Sequence, residues 1–350
     1  MKAIEGMMNK AKSLKPNELK VLSDCILRLL SASGEEAFSL SEDRSEECRL
    51  CSSHNIAKYG KDRKGNQRYK CKSCGATFSA YSGSILSRSK HSREAWESYI
   101  ELLLDGASLQ KCAEACNIDV KTAFVWRHKI LSVLKNDQND RVLGGVVEAD
   151  ETYPAISYKG NHKNSKTFVM PRPAHKRGTD CRDQTGSRAC VMCAIERNGQ
   201  FYGEVLGKGQ PTIAMLSHAF DQRILPDTVV VADKAVGIRN YFNRKSDVEL
   251  VQVMAHVRPK NMNSPPEIRG AFHIQNVNNV HSRLQRFLYP YNGVSTKYLN
   301  HYVALFIWLE NHKKIHDFDA AKQLSSILET ERSFHSAKEL SLLPAIPQIA

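Results

Sequence analysis

The sequence predicts an α/β fold in which a mixed-sheet domain follows two small modules, and three observations carry that expectation. Two β-branched runs, Val146-Val147-Glu148-Ala149 and Thr228-Val229-Val230-Val231-Ala232, each end in an aspartate, Asp150 and Asp233. Two Cys-x-x-Cys pairs, Cys48/Cys51 and Cys71/Cys74, stand 19 residues apart. Apolar spacing has the helical period before residue 136 and the pattern of strands from Leu143 onward.

The 350 residues suffice for one sizeable core and one or two small modules. Lysine plus arginine total 50 against 37 acidic residues, a net charge of +13, which favours nucleic acid through counterion release. The excess is clustered, with 12 basic and 3 acidic residues from Arg44 to Arg93 and 8 basic and 2 acidic from Ser157 to Arg188. No apolar run approaches the roughly 20 residues of a membrane span, and the N-terminus lacks a signal peptide's apolar core, so a soluble cytoplasmic protein is expected. There, ten cysteines point to metal binding and core packing rather than disulfides.

Residues 1–40 are expected to form an N-terminal helical segment, with an amphipathic helix from Pro16 to Leu30 that carries Cys25. Residues 44–82 read as a zinc ribbon. Thiolates of Cys48, Cys51, Cys71 and Cys74 can hold one tetrahedral Zn²⁺, which replaces the core that so short a segment lacks. Strands at 55–60, 67–70 and 77–79 surround the turn Lys64-Gly65-Asn66. The ribbon's basic side chains suit DNA, and a structural clip without DNA contact fits the spacing equally well. Cys190 and Cys193, inside an apolar run, and Cys112 and Cys116, on a helix, read as core thiols.

Residues 91–136 carry a helix-turn-helix pattern. A helix from His91 to Leu104 is followed by Gly106, then by a helix capped at Ser108, a turn at Asn117-Ile118, and a helix capped at Asp119 that runs to Leu134. Its last helix would present Lys121, Thr122, Arg127, His128 and Lys129 to a major groove. A helical hairpin that only packs is the alternative.

Residues 141–315 form the main domain, with strands at 143–149, 189–196, 200–206, 228–232 and 249–254 and helices at 211–224 and 234–244. Three strands, helix, strand, helix, strand and a final helix is the element order of a ribonuclease H-like fold, in which the first and fourth strands are neighbours. Asp150 and Asp233 would then meet at one rim. Paired carboxylates there bind hard divalent cations that keep positions open for phosphate oxygens and water, which suits phosphoryl transfer. Strand alternation puts Glu148 on Asp150's face as an auxiliary ligand and turns Glu151 away into solvent. A third ligand is expected from the last helix, and Glu267, behind Ser264-Pro265-Pro266 in a loop, is its rival.

Four segments together carry a specific resemblance. They are Glu148-Ala149-Asp150-Glu151-Thr152, the basic insert from Tyr158-Lys159-Gly160 to His175-Lys176-Arg177-Gly178, Val231-Ala232-Asp233-Lys234, and His273-Ile274-Gln275-Asn276-Val277-Asn278-Asn279-Val280-His281-Ser282-Arg283-Leu284. Over residues 15–312 the chain resembles bacterial insertion-sequence transposases of the zinc-ribbon, DDE-type group. In part of that group Asn replaces the third acidic residue, and the match puts it at Asn278. The resemblance implies that Asp150, Asp233 and Asn278 hold two Mg²⁺ (or Mn²⁺) ions about a scissile phosphate, for in-line displacement by water and then by a DNA 3′-hydroxyl. It also implies cutting of transposon ends and joining to target DNA, by a homo-oligomer in the synaptic complex. The group has a basic residue, usually Lys, seven positions beyond the third ligand, where this chain has Gln285 with Arg286 beside it.

His281 shares Asn278's helical face, as a phosphate contact or a structural histidine. Lys159, Lys163, Lys176 and Arg177 are expected DNA contacts of a mobile insert, and residues 316–350, mixed in charge, are expected as a weakly ordered tail. A zinc-ribbon and helix-turn-helix DNA-binding regulator with an inactive sheet domain is the competing class, and a nuclease that cuts without joining is the third.

Overall fold

Short alternating runs around the cysteine pairs build a three-stranded antiparallel sheet from β1 (Ile56–Lys61), β2 (Gln67–Cys71) and β3 (Thr77–Ser79). Its buried cluster is Cys48, Tyr69, Cys71 and Phe78, a small apolar core for a segment of about 40 residues to fold unaided. This is a computed structural model that describes residues 45–63, 65–87, 89–138, 141–160, 188–197, 199–253, 272–313, 317–347 and 349. The helix expected at 16–30, Cys25, Lys163, Lys176, Arg177 and Glu267 lie outside the described residues.

Three helices follow, α1 (Arg93–Leu104), α2 (Leu109–Ala115) and α3 (Val120–Asp137). Ser92, Ser108 and Asp119 cap them by accepting the backbone N–H groups of Ala95, Lys111 and Lys121. Gly106, at φ +73°, permits the sharp reversal after α1. Trp96 and Trp126 stack with ring centroids 3.7 Å apart and knit α1 to α3.

The main sheet contains β4 (Val146–Thr152), β5 (Ala189–Glu196), β6 (Phe201–Lys208), β7 (Thr228–Ala232) and β8 (Val248–Gln252), in the order β6-β5-β4-β7-β8. β4 pairs antiparallel with β5 and parallel with β7, and β7 pairs parallel with β8. In chain order this is 3-2-1-4-5, the ribonuclease H-like arrangement. Helices α4 (Ile213–Phe220) and α5 (Val236–Phe242) cover one face, against Val147, Ala149 and Val230. Helices α6 (Gln275–Leu288) and α7 (Thr296–Asn311) cover the other, against Val191, Cys193 and Val231. Gly203 lets α7 approach β6 closely, since a Cβ there would stand 3.0 Å from Ile307. Asn300 and Asn311 of α7 accept the Val205 and Phe201 N–H groups of β6, which satisfies an otherwise open sheet edge.

One expectation is corrected at the C-terminus. Residues 317–342 are not a weakly ordered tail but hold α8 (Asp317–Thr330) and α9 (Ala337–Leu342). Ala320, Ala321, Leu324 and Leu328 recur at helical spacing and bury against α1 and α3. Ser336 and Glu339 form a capping box at the start of α9.

Helix α3 packs along α7 as well as against α1 and α2. Its buried residues therefore lie on more than one side, from Ala123 to Leu134. At this contact His128 Nδ1 lies 2.9 Å from His301 Nδ1, and His301 Nε2 lies 3.1 Å from His335 Nδ1. Lys135, near the end of α3, stands 3.9 Å from Glu204 of β6. Among the described residues no helix is long and apolar enough to cross a membrane.

Candidate active site and metal centre

Parallel pairing of β4 with β7 aligns Ala149 with Ala232, so Asp150 and Asp233 leave the two strands side by side. The Asp233 carboxylate accepts the Ala235 N–H at 2.8 Å, which fixes it at the strand end. Oxygens of Asp150, Asp233 and Glu151 all lie within 4.8 Å of one another. Two oxygens on opposite sides of one Mg²⁺ stand about 4.2 Å apart, so small side-chain adjustments fit this group to a cation.

Glu151 departs from the expected solvated position. β4 continues to Thr152 while its pairing with β7 stops at Ala149, so beyond that point β4 is flanked by β5 alone and its β7 side is open. The Glu151 carboxylate reaches the open edge and joins the aspartates. Burial pushes the Asp150 carboxyl up to about 8, with repulsion from Glu151 and Asp233 adding to it. Burial and then Asp233 push Glu151 up to about 7. Carboxylates crowded in this way are stabilised by a shared cation.

Asn278 and His281 lie on α6, one turn apart, with Asn278 half-buried. His281 Nδ1 is 3.8 Å from an Asp150 oxygen, which turns this face of α6 toward the rim. Burial lowers the imidazole to about 4, so it is neutral near pH 7. Arg286 is exposed, and its Nε donates to the Ser282 carbonyl at 3.4 Å.

Glu148 is fully buried and stands apart from the carboxylate group. It accepts the N–H groups of Asn276 at 2.9 Å and Val277 at 3.2 Å, and the Asn276 side-chain amide at 2.7 Å. His273 Nδ1 stands 3.4 Å away and Arg197 Nε 3.9 Å. Glu148 thus binds the positive end of α6 to the central strand instead of facing the rim as a ligand.

The four cysteines of the ribbon also converge. Their sulfurs lie within 4.8 Å of one another, with Cys48–Cys74 and Cys51–Cys71 both at 3.7 Å. Tetrahedral Zn–S bonds of 2.3 Å require sulfurs about 3.8 Å apart, so the group fits Zn²⁺. The Cys74 N–H, donated to its sulfur, heads the contacts that hold the Cys71 thiol down to about 6.

The expected groove-reading residues divide. Lys121 is exposed and Thr122 half-buried at the start of α3. Arg127 is corrected, since it is 2% exposed and donates to the Ala107 carbonyl at 2.6 Å. His128 is likewise buried, and Lys129 is half-buried with its Nζ 5.4 Å from the Phe334 ring centroid. The reason is the packing of α3 on α7, which encloses the middle of α3. Lys159 is exposed at the end of the described part of the basic insert.

Comparisons with known proteins add a match to one family model over part of the chain. Residues 142–311 match the ISXO2-like transposase domain. Over 296 residues, 81% of this chain and 90% of the relative, the sequence is 24% identical to an uncharacterized protein in transposable element ISH50 of Halobacterium salinarum. Among solved structures, the Mos1 strand transfer complex is 14% identical over 67% of this chain and 74% of that one, with a TM-score of 0.21. The Mos1 mariner paired end complex with Mn is 13% identical over 65% and 79%, with a TM-score of 0.19. Both superpose too loosely to carry an argument.

Proposed function

We propose that this chain, whose residues 142–311 match the ISXO2-like transposase domain, is an insertion-sequence transposase that cuts and joins DNA strands at the rim formed by Asp150, Asp233, Glu151 and α6. The convergence of three carboxylates within 4.8 Å at the ends of two parallel neighbours carries the reading. Divalent cations, Mg²⁺ or Mn²⁺, when bound there, would polarise the scissile phosphate and offset its developing charge. Asp150 and Asp233 provide oxygens from adjacent strands. Asn278 adds a neutral amide oxygen from the helix, and Glu151 returns the negative charge that an amide lacks. His281, uncharged, borders Asp150 without competing for the cation as a second positive charge.

Away from the rim, Lys121, Thr122 and Lys159 are the described side chains from which DNA contact is proposed, with Arg286 beyond Asn278 on α6. Zn²⁺ at the four cysteines holds the ribbon, and assembly of more than one copy on paired transposon ends is part of the proposal. A catalytically idle regulator has no use for carboxylates held together against their mutual repulsion.

Asp150→Asn and Asp233→Asn test this directly, because each keeps the side chain's shape and removes its charge. Both variants should bind transposon-end DNA and lose divalent-dependent cleavage. Wild-type cleavage by either one overturns the assignment.

A further inference from the structure

A second concavity lies away from the carboxylate rim, between α2, α3, the loop after α6 and the start of α7, with a volume of about 610 Å³. That falls within the range of about 300–1,000 Å³ usual for small-ligand sites. Among the described residues its lining contains no aspartate or glutamate but includes Arg127 and Lys159. The Arg127 guanidinium is buried, donates to the neutral Ala107 carbonyl and Cys112 sulfur, faces the neutral Tyr99 and Tyr302 phenols, and among the described residues leaves its Nε without a partner. The Ser295 hydroxyl, also on the lining, is buried and unpartnered too. An arginine cannot shed its proton, so a buried guanidinium with no facing carboxylate favours an anion supplied from outside.

The remaining wall is aromatic. Phe124 and Tyr298 meet edge to face with centroids 5.5 Å apart, and Tyr291 and Tyr302 meet at 4.6 Å. Two cations, a free hydroxyl, four rings and no acid match a ligand that is anionic at one end and flat at the other. We propose that this cavity binds one nucleotide unit, its phosphate toward Arg127 and Lys159 and its base against the tyrosines. In a DNA-cutting enzyme that unit is an unpaired nucleotide of the strand, a source that rests on the transposase reading; a free nucleotide has the same chemistry. Stacking on tyrosine and phosphate pairing with arginine supply the two halves of such recognition.

The test uses the full chain, titrated without added divalent cation, against two labelled duplexes that differ by one unpaired 2-aminopurine. Wild-type protein should bind the bulged duplex about tenfold more tightly and quench the 2-aminopurine, as one stacked base would. Tyr298→Leu removes a ring, and Val294→Trp fills the cavity from its half-buried wall. Each should bring the ratio near one while the fully paired duplex binds as before. Thermal melts check that both fold, and either folded variant suffices.

Calorimetric titration with deoxyadenosine monophosphate separates the sources. Binding of the mononucleotide to wild type but not to the variants, without a bulge preference, assigns the cavity to a free nucleotide. Normal binding and cleavage of paired DNA with neither bulge preference nor mononucleotide binding overturns the cavity proposal and leaves the transposase reading standing. Mononucleotide binding by a protein that neither binds nor cuts any DNA does the reverse.

Discussion

Removing Glu148 should release α6 from the central strand, and the size of the effect follows from its bonds. Two backbone N–H groups converge on one carboxylate oxygen, and the Asn276 amide meets the other. Glu148→Gln can keep the backbone bonds with its carbonyl oxygen, and Asn276 can rotate its amide to face the new NH₂. What it loses is charge, worth about 1 kcal/mol for each of two bonds and about 0.3–1 kcal/mol at the helix end. A cost of about 2–3 kcal/mol is expected, measured by urea unfolding. Glu148→Ala instead leaves the Asn276 and Val277 N–H groups without their acceptor, at about 1–3 kcal/mol each, while the amide of the exposed Asn276 turns to water, for a total of about 2–6 kcal/mol.

The decisive readout is local. Hydrogen exchange should accelerate across residues 275–288, and the cleavage rate should fall at least tenfold under conditions where the variant is folded, because Asn278 and His281 ride on that helix. Wild-type exchange in α6 together with a cleavage rate within twofold for Glu148→Ala would refute a clamping role.

Three further outcomes are expected. Cys48→Ser or Cys74→Ser should lose the single zinc found by elemental analysis and unfold residues 45–79 alone, and a ribbon that stays protected from proteolysis without zinc would contradict this. Asn278→Ala should abolish cleavage and Asn278→Asp should retain it, whereas Glu151→Gln should raise the Mg²⁺ concentration needed for half-maximal rate; an unchanged Mg²⁺ requirement removes Glu151 from the site. Burial lowers His128 to about 3 and His301 well below the usual imidazole range, so these two stay neutral when folded and take up protons on unfolding, and burial shifts His335 in the same direction. Their stabilisation is complete above about pH 6.5 and declines as pH falls toward their folded values, at up to about 1.4 kcal/mol per pH unit for each. Urea midpoints in an Asp150→Asn, Glu151→Gln background, which removes carboxyls that titrate in the opposite sense, should drop steadily from pH 6.5 to 5, and a flat profile would show these histidines are not linked to folding.

Much of the sheet domain was legible because its signals are local. β-branched runs ending in carboxylates located β4 and β7, and their parallel neighbourhood followed from element order alone. The cysteine spacing was equally direct, since two knuckles constrain four sulfurs. What failed depended on contacts between distant segments. Arg127 has the sequence neighbourhood of a groove-reading side chain, and only the packing of α3 on α7 shows that it is interior. Glu151 was misread because strict alternation holds only while strands flank both sides, and β4 outruns β7. The bond from Glu148 to Asn276 joins residues 128 apart, and neither end carries a local sign of the other. For α8 a signal was present, the recurrence of Ala320, Ala321, Leu324 and Leu328, but mixed charge on its outer side masked it.

The shared burial of α3 has a mechanical consequence. A helix of 18 residues is a strut of about 27 Å, with its amino end open to solvent and its remainder clamped by α1, α7 and α8. If that open end grips a duplex, the separation between grip and cutting rim is a set length, like the jaws of a caliper. The protein then has no hinge there to absorb a poor fit. Any curvature needed to bring a phosphate to Asp150 must come from the DNA, so stiffness of the base-pair steps between grip and cut becomes a selectivity filter that no side chain reads.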